Sequence, residues 1–179
     1  MIDNGDGFEN LRDNVDEVLK LDADAKKIVI GFTTGATVTG AVPIPFADMP
    51  ALIVEQVAMM SSICAIYKIK VKKEGLKMLA IQVIGAGGAS LIGKTVATNL
   101  IKMIPGAGTV AGGVVSAATA GAITFSLGMA FIEICNEVRL GRLSESEQDM
   151  FSKDTAKKMK KIFKEEMKKK KEDTNNGAE

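Results

Sequence analysis

Apolar residues near the start of this chain recur every three or four positions, which is the spacing of one face of an α-helix. They are Phe8, Leu11, Val15, Val18 and Leu19. The pattern predicts a short amphipathic helix over residues 7–21 and a second helix over residues 25–41. Asp22 or Asp24 can cap the second helix, because a carboxylate accepts hydrogen bonds from the free amides of a first turn. The chain is therefore predicted to begin with two helices in succession.

A proline-containing turn follows the second predicted helix. Pro43 and Pro45 end that helix, because proline lacks an amide hydrogen and holds the residue before it in an extended conformation. A third helix is predicted to start near Asp48, whose carboxylate can cap it, and Pro50 is well tolerated in a first turn. The apolar pattern carries this helix to about residue 69.

Three more helices are predicted in the second half of the chain. The fourth covers residues 74–103 and ends at Pro105, and the fifth continues from there to about residue 140. Gly141 can adopt the left-handed conformation that closes many helices. Ser144 and Glu147 have the spacing of a capping box, which predicts a last helix from this point to about residue 171.

These helices predict an all-α fold with two long glycine-rich antiparallel hairpins, each folded at a proline-containing loop. An acidic helical segment of residues 1–24 precedes the hairpin domain of residues 25–141. A basic amphipathic helix of residues 142–173 follows, and residues 174–179 are expected to be a disordered tail. Small residues at four-residue spacing let helix backbones approach closely. We expect helix-packing roles for Gly31, Gly35, Gly85, Gly93, Gly108, Gly112 and Gly121, and turn-forming roles for Pro43, Pro45, Asp48 and Pro105.

The composition favours a protein without catalytic chemistry. The chain has no histidine, which excludes histidine-based acid–base catalysis and zinc sites that need imidazole. Cys64 and Cys135 lie in apolar surroundings without CxxC spacing and are expected to be reduced thiols in the core. Glu55 and Gln56 are expected to make a structural hydrogen bond across the bundle. No catalytic, cofactor-binding or metal-binding residue is predicted.

The uncharged middle of the chain leaves two interpretations open. Residues 103–132 contain no charged residue, and about 20 apolar residues are enough to span a bilayer. Residues 114–132 are the best candidate for insertion. A tightly packed soluble bundle also needs small residues at its helix crossings, so a protein core explains the same pattern. The acidic N-terminus lacks the basic region of a signal peptide, and we expect a cytoplasmic protein.

The last predicted helix combines an apolar stripe with many lysines. Met159, Ile162, Phe163 and Met167 form the stripe. Such a helix attracts anionic lipid headgroups, but it can equally dock on protein or lie in solvent. Nucleic acid is disfavoured because no aromatic residues interleave with the lysines for base stacking. The predicted membrane-surface residues are Lys157, Lys158, Lys160, Lys161, Lys164 and Lys168.

Residues 88–95, GASLIGKT, match the GxxxxGK[ST] pattern of a phosphate-binding P-loop. The mechanism also requires backbone amides that wrap the phosphates and a second carboxylate for magnesium. The first aspartate after Lys94 is Asp149, and no βαβ alternation surrounds the motif. Lys94 is therefore interpreted as a polar position on a long helix, and nucleotide binding is the least favoured function.

Two stretches carry a resemblance to a known family. Residues 40–56, GAVPIPFADMPALIVEQ, and residues 100–108, LIKMIPGAG, closely resemble the two turns of the DUF697 family, over about residues 25–137. The resemblance implies a helical domain often found C-terminal to Era/Ras-like GTPase domains in bacteria, and related to bacterial inner-membrane proteins. It implies no enzymatic activity. The acidic and lysine-rich helices lie outside the matching stretches.

The leading hypothesis is a non-enzymatic, membrane-associated helical module that anchors, oligomerises or binds a partner. Membrane lipid, another copy of the chain and a GTPase on a separate polypeptide are the expected partners. The alternative is a soluble, self-associating structural bundle, in which the acidic first helix pairs with the basic last helix. A P-loop nucleotide-binding protein is the third hypothesis.

Overall fold

The computed structural model describes residues 5–39, 49–95 and 117–176, with the side chains of residue 12 and residues 14–35, 52–84 and 120–170. These described residues form six helices and contain no strand, which confirms the all-α class. The helices are α1 (Gly5–Thr39), α2 (Met49–Tyr67), α3 (Lys73–Thr95), α4 (Ala117–Arg139), α5 (Glu147–Met150) and α6 (Lys153–Asn176).

The first helix is longer than predicted. α1 runs without a break from Gly5 to Thr39, so the predicted division between residues 21 and 25 is wrong. Asp22 and Asp24 do not cap a new helix, because each pairs with a lysine one turn further along the same helix. The Asp22 Oδ2 atom lies 2.6 Å from the Lys26 Nζ atom, and the Asp24 Oδ1 atom lies 2.7 Å from the Lys27 Nζ atom.

The helix α4 lies at the centre of the bundle. It packs most extensively against α1 and α6, and also contacts α2 and α3. Its buried residues include Ile123, Leu127 and Phe131, which belong to one continuous apolar core. The predicted second hairpin corresponds to α3 and α4. These two helices contact each other only slightly, because α4 packs mainly against α1 and α6.

The contacts of α4 define the directions of its neighbours. Gln56 and Tyr67 of α2 contact Thr124 and Asn136 of α4 in the same order, so α2 and α4 run parallel. Both α1 and α6 run antiparallel to α4, because their contacts with it progress in opposite orders. The pairs that show this are Glu17–Arg139 and Val29–Gly128 for α1, and Lys158–Glu137 and Lys170–Phe125 for α6.

The C-terminus of α4 closes as the sequence predicts. Gly141 has a φ of +68°, its amide donates to the Val138 carbonyl, and the Arg142 amide donates to the Glu137 carbonyl. These two bonds are those of a Schellman motif, which satisfies carbonyls that the helix itself leaves unpaired. Gly141 therefore ends α4, which confirms the prediction.

The last predicted helix is divided into α5 and α6. Ser146 caps α5, because its Oγ atom accepts from the Asp149 amide at 3.2 Å and donates to the Asp149 carboxylate at 2.7 Å. Ser152 then caps α6 by accepting from the Thr155 amide at 3.2 Å. The predicted capping box at residues 144–147 is therefore displaced by two positions, and a second serine cap starts a new helix.

Candidate functional site

The outer face of α6 carries a stripe of lysines. Lys157, Lys161, Lys164 and Lys168 are three or four positions apart, which places them on one side of a helix, and all four are exposed. We call these four residues the lysine face. Two further predicted membrane-surface residues are placed differently: Lys158 is exposed but forms an ion pair with Glu137, and Lys160 is half-buried.

The apolar stripe of α6 faces the interior of the protein. Met159 and Phe163 are fully buried in the core, and Ile162 and Met167 pack against that core while partly exposed. The sequence left lipid, protein and solvent open as surroundings of this helix. In the structure, its apolar stripe packs on protein. The opposite side of the helix keeps its lysines in solvent.

Contacts at both ends of α6 hold it against α4. The Lys158–Glu137 ion pair fixes the first turns, and the Lys170 Nζ atom lies 4.4 Å from the centre of the Phe125 ring. Beside the cap, the Thr155 hydroxyl donates to the Asp149 carbonyl at 2.7 Å. The lysine face is consequently presented on a docked and oriented helix.

One end of the bundle, which we call the charged end, contains the start of α3, the end of α2 and the end of α4. A hydrogen-bonded chain crosses three helices here. The Tyr67 hydroxyl donates to the Asn136 Oδ1 atom at 2.6 Å, and the Asn136 Nδ2 atom donates to the Asp22 Oδ1 atom at 3.2 Å. Burial, and then the nearby Asp22, Cys135 and Glu133 side chains, raise the pKa of Tyr67. The phenol is therefore neutral and acts as a donor.

The opposite end is built from α1 after Lys27, α2 before Tyr67, α3 after Lys77 and α4 before Glu133. We call it the uncharged end, because Glu55 and Lys94 are the only charged residues of these described helical segments. Glu55 is the one acidic residue of these described helical segments, and burial raises its pKa. Large apolar side chains are exposed in this end of the protein. They are Ile30, Val54, Met78 and Ile81.

Buried polar side chains also lie in the uncharged end. The Gln56 Nε2 atom donates to the Thr124 hydroxyl at 2.8 Å, which confirms the predicted hydrogen bond of Gln56 across the bundle. Among the described residues, the buried Gln56 Oε1, Thr33 Oγ1 and Ser126 Oγ atoms have no hydrogen-bond partner. All three atoms therefore lie in the same end of the bundle.

The glycines divide into two groups. A Cβ atom at Gly128 of α4 would lie 2.5 Å from the Val29 Cγ2 atom and 3.2 Å from the Met59 Sδ atom, so this glycine lies at a three-helix crossing. A Cβ atom at Gly75 would overlap the Phe151 ring. Neither glycine is among those predicted from the sequence, although Gly128 lies two turns after Gly121 on α4 and follows the same spacing.

The predicted packing glycines Gly31 and Gly35 face outward. A Cβ atom at either would meet no atom of the described chain within 4 Å, so no described helix of this chain crosses there. Gly121 is buried in α4. For each of the remaining predicted residues, either the side chain or the whole residue lies outside the part of the chain that the structure describes. These are Gly85, Gly93, Gly108, Gly112, Pro43, Pro45, Asp48 and Pro105.

The P-loop pattern lies inside a helix. Residues 88–95 are the last turns of α3, which begins at Lys73. Amides in the body of a helix bond to carbonyls of the preceding turn and are not available to wrap a phosphate. Within the described side chains, no group of three or more Cys, Asp and Glu residues could hold a metal ion.

One described helical segment, Ala120–Arg139, is long and apolar enough to cross a membrane by length and composition. It overlaps the predicted candidate at residues 114–132. However, 61% of its 18-residue apolar window is buried inside the protein, which is also the property of a core helix.

These features define a class of protein: an all-helical bundle with a central apolar helix and a lysine face on its last helix. The chain belongs to the DUF697 family, a domain of unknown function, whose family model matches residues 6–172. The match thus includes most of the acidic N-terminal segment and most of α6, beyond the stretches that carried the resemblance.

Comparison with characterised proteins finds a similar chain that is named as a membrane protein. The protein is 28% identical over 116 residues to Magnetosome membrane protein 22 of Magnetospirillum gryphiswaldense. The match covers 63% of this chain and 57% of that protein, so it spans little more than half of the relative. No solved structure matches the chain.

Proposed function

We propose that this protein is a non-enzymatic, membrane-associated helical module that binds the anionic surface of the cytoplasmic leaflet through the lysine face of α6. The observation that carries the proposal is the orientation of α6. Its apolar stripe is buried in the bundle while Lys157, Lys161 and Lys164 remain exposed on the outside. A docked helix with an outward basic face can contact headgroups without unfolding.

The electrostatic attraction of such a face strengthens reversible binding to an anionic membrane. Each basic residue near an anionic membrane contributes about 1 kcal/mol, and the attraction falls off within a Debye length of about 8–10 Å. Three lysines therefore account for roughly 3 kcal/mol, or on the order of a hundredfold in affinity. The similarity to a protein named as a magnetosome membrane protein supports a membrane setting.

The packing of α4 supports peripheral rather than spanning association. Ile123, Leu127 and Phe131 are fully buried between neighbouring helices, and moving them into lipid would expose the faces of α1 and α6 that now cover them. Lipid offers no hydrophobic gain over this protein core. The proposal accordingly keeps α4 inside the bundle when the protein binds a membrane.

The lysine face can be tested without disturbing the core. Deleting residues 153–173 would remove the buried Met159 and Phe163, so a loss of binding could merely reflect unfolding. The better variant replaces Lys157, Lys161 and Lys164 by glutamine. Its matched control replaces the exposed Lys70, Lys73 and Lys77, which lie at the beginning of α3 and the turn before it, and removes the same charge.

Sedimentation with vesicles of phosphatidylcholine and phosphatidylserine provides the measurement. We expect the α6 variant to lose on the order of a hundredfold in vesicle affinity and the control to lose much less. Equal losses in both variants would show that net charge alone drives binding. Unchanged binding of the α6 variant would remove the lysine face from the mechanism.

Self-association is a second candidate function. Ile30, Val54, Met78 and Ile81 are exposed in the uncharged end, and exposed apolar side chains on a folded protein favour contact with another molecule. Light scattering on the full chain without lipid tests this, and a monomer at all concentrations would contradict it. A GTPase on another polypeptide stays a proposed partner on the strength of the family resemblance.

A further inference from the structure

The two cysteines of the chain come from different helices and lie at the same level of the bundle. Cys64 is on α2 and Cys135 is on α4, and these helices run parallel. Contacts between them join residues 68 and 69 positions apart, at Gln56–Thr124 and Tyr67–Asn136. Cys64 and Cys135 are separated by nearly the same number of positions, so they lie within one helical turn of each other along the axis.

The two thiols also contact each other inside the core. Cys64 is 4% exposed and Cys135 is fully buried, which confirms the expectation that both lie in the core, and neither is joined in a disulfide. Burial and a hydrogen bond with the Cys64 side chain raise the pKa of the Cys135 thiol well above its usual range. Two thiols in contact across a helix interface can be joined by a disulfide once transient opening lets a thiolate form and an oxidant reach it.

We propose that Cys64 and Cys135 form a redox pair that closes to an intramolecular disulfide in the presence of a peroxide. Cys64 is the less completely buried of the two residues, so we assign the first attack on hydrogen peroxide to its sulfur. The O–O bond breaks, Cys64 becomes a sulfenic acid, and one water leaves. The Cys135 sulfur then attacks the Cys64 sulfur, the S–O bond breaks, and the second water leaves with the Cys135 proton. Two thiols are oxidised and one peroxide is reduced to two waters.

The disulfide would pin α2 to the central helix. Because it joins two helices that are distant in sequence, it restricts the unfolded chain and raises the unfolding temperature. Access to the buried thiols requires transient opening of the bundle, so the reaction is slow in the native protein. The crosslink would form whether or not the protein binds a membrane.

The test treats the full, reduced chain with hydrogen peroxide, blocks the remaining thiols under denaturing conditions and maps the peptides by mass spectrometry. We expect a peptide pair joined through Cys64 and Cys135, a monomer on a non-reducing gel, and a higher unfolding temperature that a dithiol reductant reverses. Cys135→Ser should accumulate a sulfenic acid on Cys64 that a 1,3-dicarbonyl reagent traps. Cys64→Ser should label Cys135 more slowly.

Three results would overturn the proposal. They are oxygen addition to the wild-type chain without a crosslinked peptide, disulfides between two copies, and free thiols that remain unmodified after oxidation is complete for the same chain unfolded in urea. The wild-type peptide map decides between these outcomes even if a serine variant does not fold.

Discussion

The charged and uncharged ends of the bundle are held together by different interactions. At the charged end, the Tyr67–Asn136–Asp22 chain joins α2, α4 and α1 through specific hydrogen bonds, and the Glu17–Arg139 pair adds a contact at 2.5 Å. At the uncharged end, close packing at Gly128 brings the same three helices together. There, three buried side-chain oxygens of the described residues lack hydrogen-bond partners. Hydrogen bonds thus hold α1, α2 and α4 together at one end. At the other end, the lack of a side chain at Gly128 lets the same helices approach closely.

The difference shows where the protein can interact with other molecules. Exposed ion pairs such as Lys27–Asp24 present a well-hydrated surface at the charged end. Exposed Ile30, Val54 and Ile81 at the uncharged end present surface that water solvates poorly. The lysine face runs along the bundle from one end toward the other. A membrane-associated protein can use such an arrangement to combine headgroup contact with a folded core.

The largest effect on stability is expected at the three-helix crossing. Gly128→Ala places a methyl group against Val29 and Met59, and such overpacking typically costs about 1–3 kcal/mol. Gly31→Ala is the matched control, because its Cβ atom meets no described atom and alanine favours the helix by up to about 1 kcal/mol. Urea denaturation of both variants measures the difference. Equal changes in the two free energies of unfolding would contradict the assignment of the crossing to Gly128.

A smaller effect is expected at the charged end. Tyr67→Phe removes the hydroxyl that donates to Asn136 and leaves the Asn136 Oδ1 atom with one hydrogen bond fewer. The free energy of unfolding should fall by about 1 kcal/mol, the usual contribution of a partly buried hydrogen bond. The double variant with Asn136→Ala should show that the two losses are not additive. Fully additive losses would mean that the hydrogen bond contributes nothing.

The smallest effect is expected at Glu55. Its pKa is raised by burial, so the folded state binds the proton more tightly and loses stability as the pH rises through the folded pKa. Glu55→Gln should therefore be more stable than the wild type at pH 7, by no more than about 0.5 kcal/mol because the side chain is only partly buried. The gain should shrink as the pH falls toward about 4. A gain that stays constant with pH would contradict this explanation.

The helical class, the Gly141 terminus and the buried cysteines could be predicted because each depends on local sequence. Periodicity identifies an amphipathic helix, and glycine is the residue that tolerates a positive φ at its end. The continuity of α1 could not be predicted in this way. Asp22 has the chemistry of a cap, but it also lies four residues before Lys26, and the ion pair within one helix prevails.

The candidate site was harder to predict than the fold. The lysines of α6 are evident in the sequence, but whether its apolar stripe meets lipid or protein depends on residues far away, such as Glu137 and Phe125. The same holds for glycines. Gly31 and Gly128 look alike in sequence, and only the neighbouring Val29 and Met59 make Gly128 a packing position.

The central claim is that the folded bundle binds an anionic membrane surface through its lysine face, with α4 kept in the core. The most direct test is flotation of the detergent-free full chain with phosphatidylserine-containing vesicles, followed by a wash in about 1 M salt, where the Debye length is about 3 Å. We predict flotation at low salt and release of the protein by the wash. Retention that only detergent reverses would contradict the claim and place α4 in the lipid.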